Sequence, residues 1–537
     1  MFMLRSARTH SASRCKLSRF VRTLVTRIAV AHPTGPASTV VVFVPQVDTS
    51  DGPRGDPTVL DWLEQPIDDG RVRLESDVAQ ACSGGGGVHV HYLTDGTRII
   101  AVGTGEKKGE ASLDALRGGV GAAMAAARQL RATSVAIVPP LRETPADIAA
   151  VTTASILAGQ QFSRHSTPSS AARQQRRAES FAVETVDIVA PTAGAEHQRA
   201  WRRAAALANG TVYARELACR DGDELTPHHL EVEAIALGVE HGLKMTVLDE
   251  TDLAALGCNM LIAVGQAATH KSRLVALEYD SGDHDDGAAT PTVAVVGKGV
   301  TFDTGGLNLK PTGAIEDMHM DMGGAAATLG AALAVATLQP PRTRAVFVVA
   351  LAENAVAAEA YKPYSILTSM KGSTVRVGNT DAEGRLCLAD AMTWVQREHR
   401  PAVLLDVATL TGACVVGLGE YAAGLFTNDG DREELARSVE AAGASVGERL
   451  HRLPLYPEHK AELKSDIADI CSTGAGRYGG ASTAAAFLEH FVEDDVAWVH
   501  LDIAGPAMTS EARGMWPKGG TGFGAAALAA YVCGDKV

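Results

Sequence analysis

Five apolar runs, at residues 260–264, 293–296, 345–351, 403–407 and 496–503, constrain most what this chain can fold into. They are short and nearly continuous, the pattern of strands buried on both faces. Helical stretches at 324–338 and 384–398 fall between them. Buried strands alternating with helices specify an α/β domain with a mostly parallel central sheet covered by helices. In such sheets a site lies beyond the carboxyl ends of the strands.

A smaller α/β unit precedes it. Strand runs at 40–44, 98–103 and 134–138 enclose an Ala-rich helix at 113–130. A Ser-, Arg- and Gln-rich stretch at 160–179 reads as a linker. Beyond it comes a helix at 198–217, and then Thr226-Pro227 opens another, with Thr as N-cap and Pro at the first position. The predicted organisation is a basic arm at 1–35, an N-terminal α/β domain at 36–193 and a larger C-terminal α/β domain at 194–537. A chain of 537 residues, 46% hydrophobic, can bury a core in each domain.

Charge is distributed unevenly. Residues 1–47 hold seven Lys/Arg and no acid, leaving 42 basic against 63 acidic residues in the remainder. Leu17, Phe20, Val21, Leu24, Val25 and Ile28 recur there at helical spacing, with Arg19, Arg22 and Arg27 between them. An Arg-rich, acid-free amphipathic helix has the composition of a mitochondrial presequence, the alternative being an extension on a cytoplasmic protein. One short basic helix does not make a stable membrane association. No apolar run reaches the roughly 20 residues of a spanning helix. The acidic balance beyond the arm argues against a nucleic-acid partner. The eight cysteines are scattered with no C-x-x-C pair, as in reduced intracellular proteins; Cys387 reads as a buried helical thiol.

Three segments carry chemistry. The first is Val296-Gly-Lys298-Gly-Val-Thr-Phe-Asp303-Thr-Gly-Gly306, directly after a buried strand. The second is Leu309-Lys310-Pro311, followed by Met318-His319-Met320-Asp321-Met322. The third is Asn379-Thr-Asp381-Ala-Glu383-Gly-Arg385-Leu386, which leads straight into a helix. Asp303, Asp321, Asp381 and Glu383 stand among Gly, Ala and Met, and a buried carboxylate needs compensation. Oxygen-rich sites suit divalent cations, and two cations sharing carboxylates form a clamp for hydrolysis. Ion pairs at strand ends, with Lys298 and Lys310 as the cations, are the alternative. The Gly-Lys-Gly at 297–299 lacks the spacing of a phosphate loop. His89 and His91 face one side of a strand without a third ligand in view. The acidic run at 280–286 lacks the late Glu of a calcium loop, and Glu316 and Asp317 read as access-loop residues.

Taken together and in order, these motifs resemble the leucyl aminopeptidase family, also called the cytosol aminopeptidases. The resemblance spans roughly 195–530 and continues through Thr409-Leu-Thr-Gly412-Ala, Leu463-Lys-Ser-Asp466, His500-Leu-Asp502-Ile-Ala504-Gly and Thr521-Gly-Phe-Gly524. It implies two divalent metal ions per subunit, Mn or Zn, with Mg and Co also acceptable. The tighter position would be held by Lys298, Asp303, Asp321 and Glu383, the looser by Asp303, Asp381 and Glu383. A neutral Lys298 amine as ligand implies a strongly lowered pKa, which a dication can enforce. The implied reaction is hydrolysis of a peptide's N-terminal bond by a metal-activated hydroxide. Lys310 would stabilise the oxyanion, and Arg385 would hold a bicarbonate ion as general base. Met318, Asn379, Thr409, Gly412 and Ala504 would line a pocket for a Leu- or Met-like first side chain. A homohexamer acting on peptide substrates is implied as well. Thr304, His319 and Tyr364-Ser365 depart from the family's usual residues without removing a ligand. A two-metal phosphatase or amidase and an inactive scaffold are the competing readings.

Overall fold

The computed structural model describes residues 25–29, 39–46, 87–92, 98–107, 112–139, 144–160, 162, 183–190, 192–283, 290–428, 433–476 and 478–534. The stretch at 163–179 and the arm up to residue 24 lie outside them.

The N-terminal sheet has six strands: β1 (Val25–Ala29), β2 (Thr39–Gln46), β3 (Val88–Tyr92), β4 (Arg98–Lys107), β5 (Ser134–Val138) and β6 (Thr185–Val189), in the order β1-β6-β5-β2-β4-β3. All neighbours are parallel except β3 and β4. The helix expected across 17–28 is therefore corrected at its end. Val25 to Ala29 pair in parallel with Thr185 to Val189, drawing part of the expected arm into the sheet. Val25 and Ile28 suit strand as well as helix, and an open edge beside β6 decides for strand. Two helices, α1 (Leu113–Gln129) and α2 (Pro145–Gly159), pack here; a Thr144–Asp147 capping box starts α2. The long helix α3 (Ala195–Ala218) bridges the domains, because its Ala208 and Val212 enter the N-terminal core while Leu217 enters the larger one.

In the C-terminal domain, α4 (Pro227–His241) starts at the Thr226 N-cap as the sequence predicts. Then follow β7 (Lys244–Leu248), α5 (Glu250–Leu256), α6 (Asn259–Gly265), β8 (Arg273–Asp280), β9 (Thr292–Asp303), α7 (Gly323–Leu338) and β10 (Arg344–Asn354). A small sheet of β11 (Ile366–Thr368), β12 (Thr374–Arg376) and β16 (Ile470–Cys471) lies beside the large one, after α8 (Gly384–His399), β13 (Val403–Ala408), β14 (Ala423–Thr427) and β15 (Leu450–Arg452) are added. With β17 (Ala497–Asp502), the large sheet runs β15-β14-β17-β13-β9-β10-β8-β7. Its four central strands, β17, β13, β9 and β10, are parallel. Helices α3, α4 and α7 cover one face, while α6 and α8 cover the other.

The run at 260–264 is a second correction, since it forms α6 rather than a strand. A five-residue apolar run does not reveal its period, and here a cap decides. The Asp390 carboxylate on α8 accepts from Met260 N at 2.8 Å and Leu261 N at 3.1 Å, satisfying the first donors of that helix.

Candidate metal centre

Side chains on β9 alternate between faces, so Ala294, Val296 and Lys298 all point toward α8. Lys298 thereby reaches the start of that helix. A Cβ on Gly384 would lie 2.5 Å from Lys298 Cε, so only glycine lets the lysine lie against this turn. Lys298 Nζ sits 2.7 Å from Asp321 Oδ2 and 2.8 Å from Glu383 Oε1, and donates to Thr409 O at 3.2 Å. Asp321 follows the short 3-10 turn Met318–Met320 just before α7.

Asp303 ends β9, paired in register with Asn354 at the end of β10. The pairing explains a bridge. Asn354 Nδ2 donates to Asp303 Oδ1 at 2.8 Å and to Thr380 O at 3.0 Å, tying the strand end to the acidic motif. Tyr361 Oη donates to the same carbonyl at 2.7 Å. Thr380 Oγ1 donates to Gly305 O at 2.7 Å and accepts from Asn308 N at 2.9 Å. Gly305 has φ +84, and a side chain there would meet Asp381 Oδ1 at 2.8 Å. Lys310 Nζ lies 2.9 Å from Asp303 Oδ2 and 2.5 Å from Asp381 Oδ1.

Oxygens of Asp303, Asp381 and Glu383 lie within 4.8 Å of one another. Glu383 Oε2 is buried with no hydrogen-bond partner. A buried unpaired carboxylate oxygen is costly, and a cation at the meeting point of three carboxylates would satisfy it. The donor set therefore fits a divalent metal. Electrostatics agree, because burial pushes Asp303 up to about 6, with Glu383 adding to the rise against Lys298 and Lys310.

The lowered Lys298 pKa implied by the resemblance is one that a dication has to enforce, because the chain's own groups act the other way. Burial does push the amine down, but Asp321, Glu383 and Asp303 outweigh it and hold it above its ordinary value. A dication competing for those carboxylates would reverse the balance. Lys310 is likewise raised by Asp303 and Asp381 against the opposite pull of burial.

The remaining predicted residues divide. Thr409 is buried, and its Oγ1 donates to Asp321 Oδ1 at 2.8 Å. Met318, Asn379 and Ala504 are half-buried, and Gly412 is exposed. Asn379 Oδ1 accepts from Asp381 N at 2.8 Å. Arg385 is 7% exposed, donates through Nη1 to Ser472 O at 2.8 Å and leaves a buried Nε without a partner. Burial, opposed by Glu383 and Asp502, brings its pKa down to about 10. Sequence reading missed Asn354, Tyr361, Thr380 and Asn308. Asn354 carried a signal as an amide closing a long buried strand, and Thr380 lies inside the acidic motif without having been given a role.

Comparison with known proteins agrees with this geometry. Residues 212–529 match the model of the cytosol aminopeptidase family, catalytic domain. A probable cytosol aminopeptidase of Geobacter sp. (strain M21) is 40% identical over 437 residues, covering 81% of this chain and 85% of the relative. One from Roseiflexus castenholzii is 40% identical over 432 residues, 80% of this chain and 85% of that one. Among solved structures, a mutant of tomato leucine aminopeptidase superposes with a TM-score of 0.81 at 29% identity, covering 95% of this chain and 96% of that one. The bottromycin maturation enzyme BotP in complex with Mn gives 0.78 at 30% identity, covering 93% and 99%. The chain belongs to the cytosol aminopeptidase family and is a metal-dependent aminopeptidase, a hydrolase of the leucyl aminopeptidase type.

Proposed function

We propose that the chain removes Leu- or Met-like residues from the N-termini of peptides, using two divalent cations held in unequal positions. Lys298, Asp303, Asp321 and Glu383 would hold the first, and Asp303, Asp381 and Glu383 the second. The observation that carries this reading is the meeting of Asp303, Asp381 and Glu383 oxygens around the unpaired Glu383 Oε2. Manganese in the BotP structure supports a divalent ion of that kind. Such cations supply Lewis acidity and lower the pKa of water, both of which amide hydrolysis near neutral pH needs.

The chain's own groups do the rest. Lys310, half-buried beside Asp381, stabilises negative charge developing on the scissile carbonyl oxygen. Arg385, with its unpaired Nε, anchors a small anion; bicarbonate there would supply general-base chemistry. Asp303 and Glu383, fixed by strand and helix, orient the substrate amine relative to that carbonyl. Met318, Asn379, Thr409, Gly412 and Ala504 bound the first side chain, with Thr409 also holding Asp321 in place. Discrimination of one methylene in such a pocket is about 1–3 kcal/mol, so specificity is broad. The assembly proposed is a homohexamer.

The test is hydrolysis of leucyl amide against N-acetyl-leucyl amide by metal-loaded protein. Cleavage of the first alone is expected. Cleavage of both equally, or of neither, would contradict the reading, as would full activity in both Asp381→Ala and Glu383→Ala.

A further inference from the structure

A cleft lies where the start of α1 meets loops of the larger domain, and none of Asp303, Asp321, Asp381 and Glu383 lines it. It has a volume of about 200 Å³ and opens between the start of α1 and the loops at 420–421, 447–449 and 513–516. Three guanidinium groups line it, those of Arg117, Arg449 and Arg513. Only two carboxylates, Asp114 and Glu420, stand against them, so the cleft carries a net positive charge.

The guanidinium groups are held in place by neighbours that include the cleft's own Asp114. Asp114 pairs with Arg117 Nη1 at 2.9 Å and Arg449 Nη2 at 2.8 Å. Burial pushes the Asp114 carboxyl up, yet Arg449 and Arg117 outweigh it, so it stays ionised. Arg117, its side chain 6% exposed, also donates through Nη2 to Ser445 O at 2.7 Å, while its buried Nε has no partner. Arg513 donates to Glu420 O at 2.7 Å and stacks over Tyr421, 4.5 Å from the ring centroid. Fixed, part-paired arginines are preorganised to grip a planar carboxylate. Trp516 and Phe523 add an apolar wall, and a cleft this small, below the usual size of a ligand pocket, admits only a small molecule.

We propose that this cleft binds a small carboxylate of amino-acid size, its carboxyl group on the arginines and its apolar body against Trp516. The class includes the free amino acids that an aminopeptidase releases. The site itself stands independently of how the metal centre works. Pro506 lines the cleft only two residues beyond Ala504, so an occupant touches the same loop that is proposed to bound the substrate pocket.

The test is calorimetric titration of the intact protein with N-acetyl-leucine, leucine and inorganic phosphate, on wild type and Arg449→Ala. N-acetyl-leucine lacks the free amine that the metal centre selects, which separates the two sites. Arg449 is 65% exposed and pairs with Asp114 at the surface, so its removal should leave folding and kcat/KM on leucyl amide unchanged. The expected result is one N-acetyl-leucine per chain on wild type, at least tenfold weaker on Arg449→Ala. Equal binding to both proteins, or no saturable binding to wild type, would overturn the site. Phosphate binding more tightly than either carboxylate would overturn the ligand class.

Discussion

The two lysines of the candidate metal centre sit in unlike surroundings. Lys298 and its partners Asp321 and Glu383 have side chains 2–5% exposed, whereas Lys310 is 15% exposed and Asp381 31%. Coulombic attraction is stronger in the first half, but so is the penalty for leaving any member unpaired. Water can reach the second half and screen its charges. One half should behave as a structural unit as well as a ligand set, the other as a ligand set alone.

The largest effect expected from that difference is on Glu383, which belongs to both halves. Glu383→Ala should reduce kcat on leucyl amide by at least ~10³-fold. It should also destabilise the fold by about 3–5 kcal/mol, because Lys298 loses a buried partner. Urea denaturation of this variant beside Asp381→Ala checks the second figure, with Asp381→Ala expected to fall by less than about 1 kcal/mol.

Glu448 is a buried carboxylate with no lysine beside it. Its Oε2 accepts from Ala527 N at 2.9 Å, at the start of helix α9 (Ala525–Cys533). Burial pushes its pKa from 4.5 up to about 7, against the pull of the Ala527 and Gly524 backbone. A raised folded pKa means the folded protein holds the proton more tightly than the unfolded chain. Its contribution is fully present below pH 4.5 and is lost as pH rises through 7, by about 3 kcal/mol in all. Glu448→Gln keeps the acceptor and removes the titration. Thermal melts from pH 4.5 to 8 should therefore fall less steeply for the variant than for wild type.

Smaller effects are expected where a neutral donor positions a carboxylate. Asn354→Ala should weaken cation affinity roughly 10–100-fold, measured by competition with a chelating dye. Thr409→Val, which removes the donor to Asp321 Oδ1, should cost about 1 kcal/mol of the same affinity. A larger loss for Thr409→Val than for Asn354→Ala would reverse the account of which contacts hold the site.

The legible part of this site was its charge. Lys298, Asp303, Lys310, Asp321, Asp381 and Glu383 stood out because ionised groups among Gly, Ala and Met demand a reason. Asn354 stood out only as an amide closing a strand, because its role depends on pairing between residues some fifty positions apart, and Tyr361 left no mark, since its partner is the Thr380 carbonyl in another segment. The parallel core strands and α8 were readable from apolar runs of clear length and from the Gly384 start. The run at 260–264 was not, since its helical state depends on Asp390, a residue 130 positions away. The Lys298 amine shows how far ionisation depends on a ligand: its own carboxylates hold the pKa up, and only a dication competing for them would bring it down.

The most direct test is the metal content of Asp381→Ala. Wild type and variant would be loaded with Mn or Zn, passed through a desalting column and analysed for metal by mass spectrometry. Two equivalents per chain in wild type and one in the variant, with unchanged folding by circular dichroism, is the predicted result. Two retained equivalents in Asp381→Ala, or none, would contradict the division of the site into a buried and an exposed half.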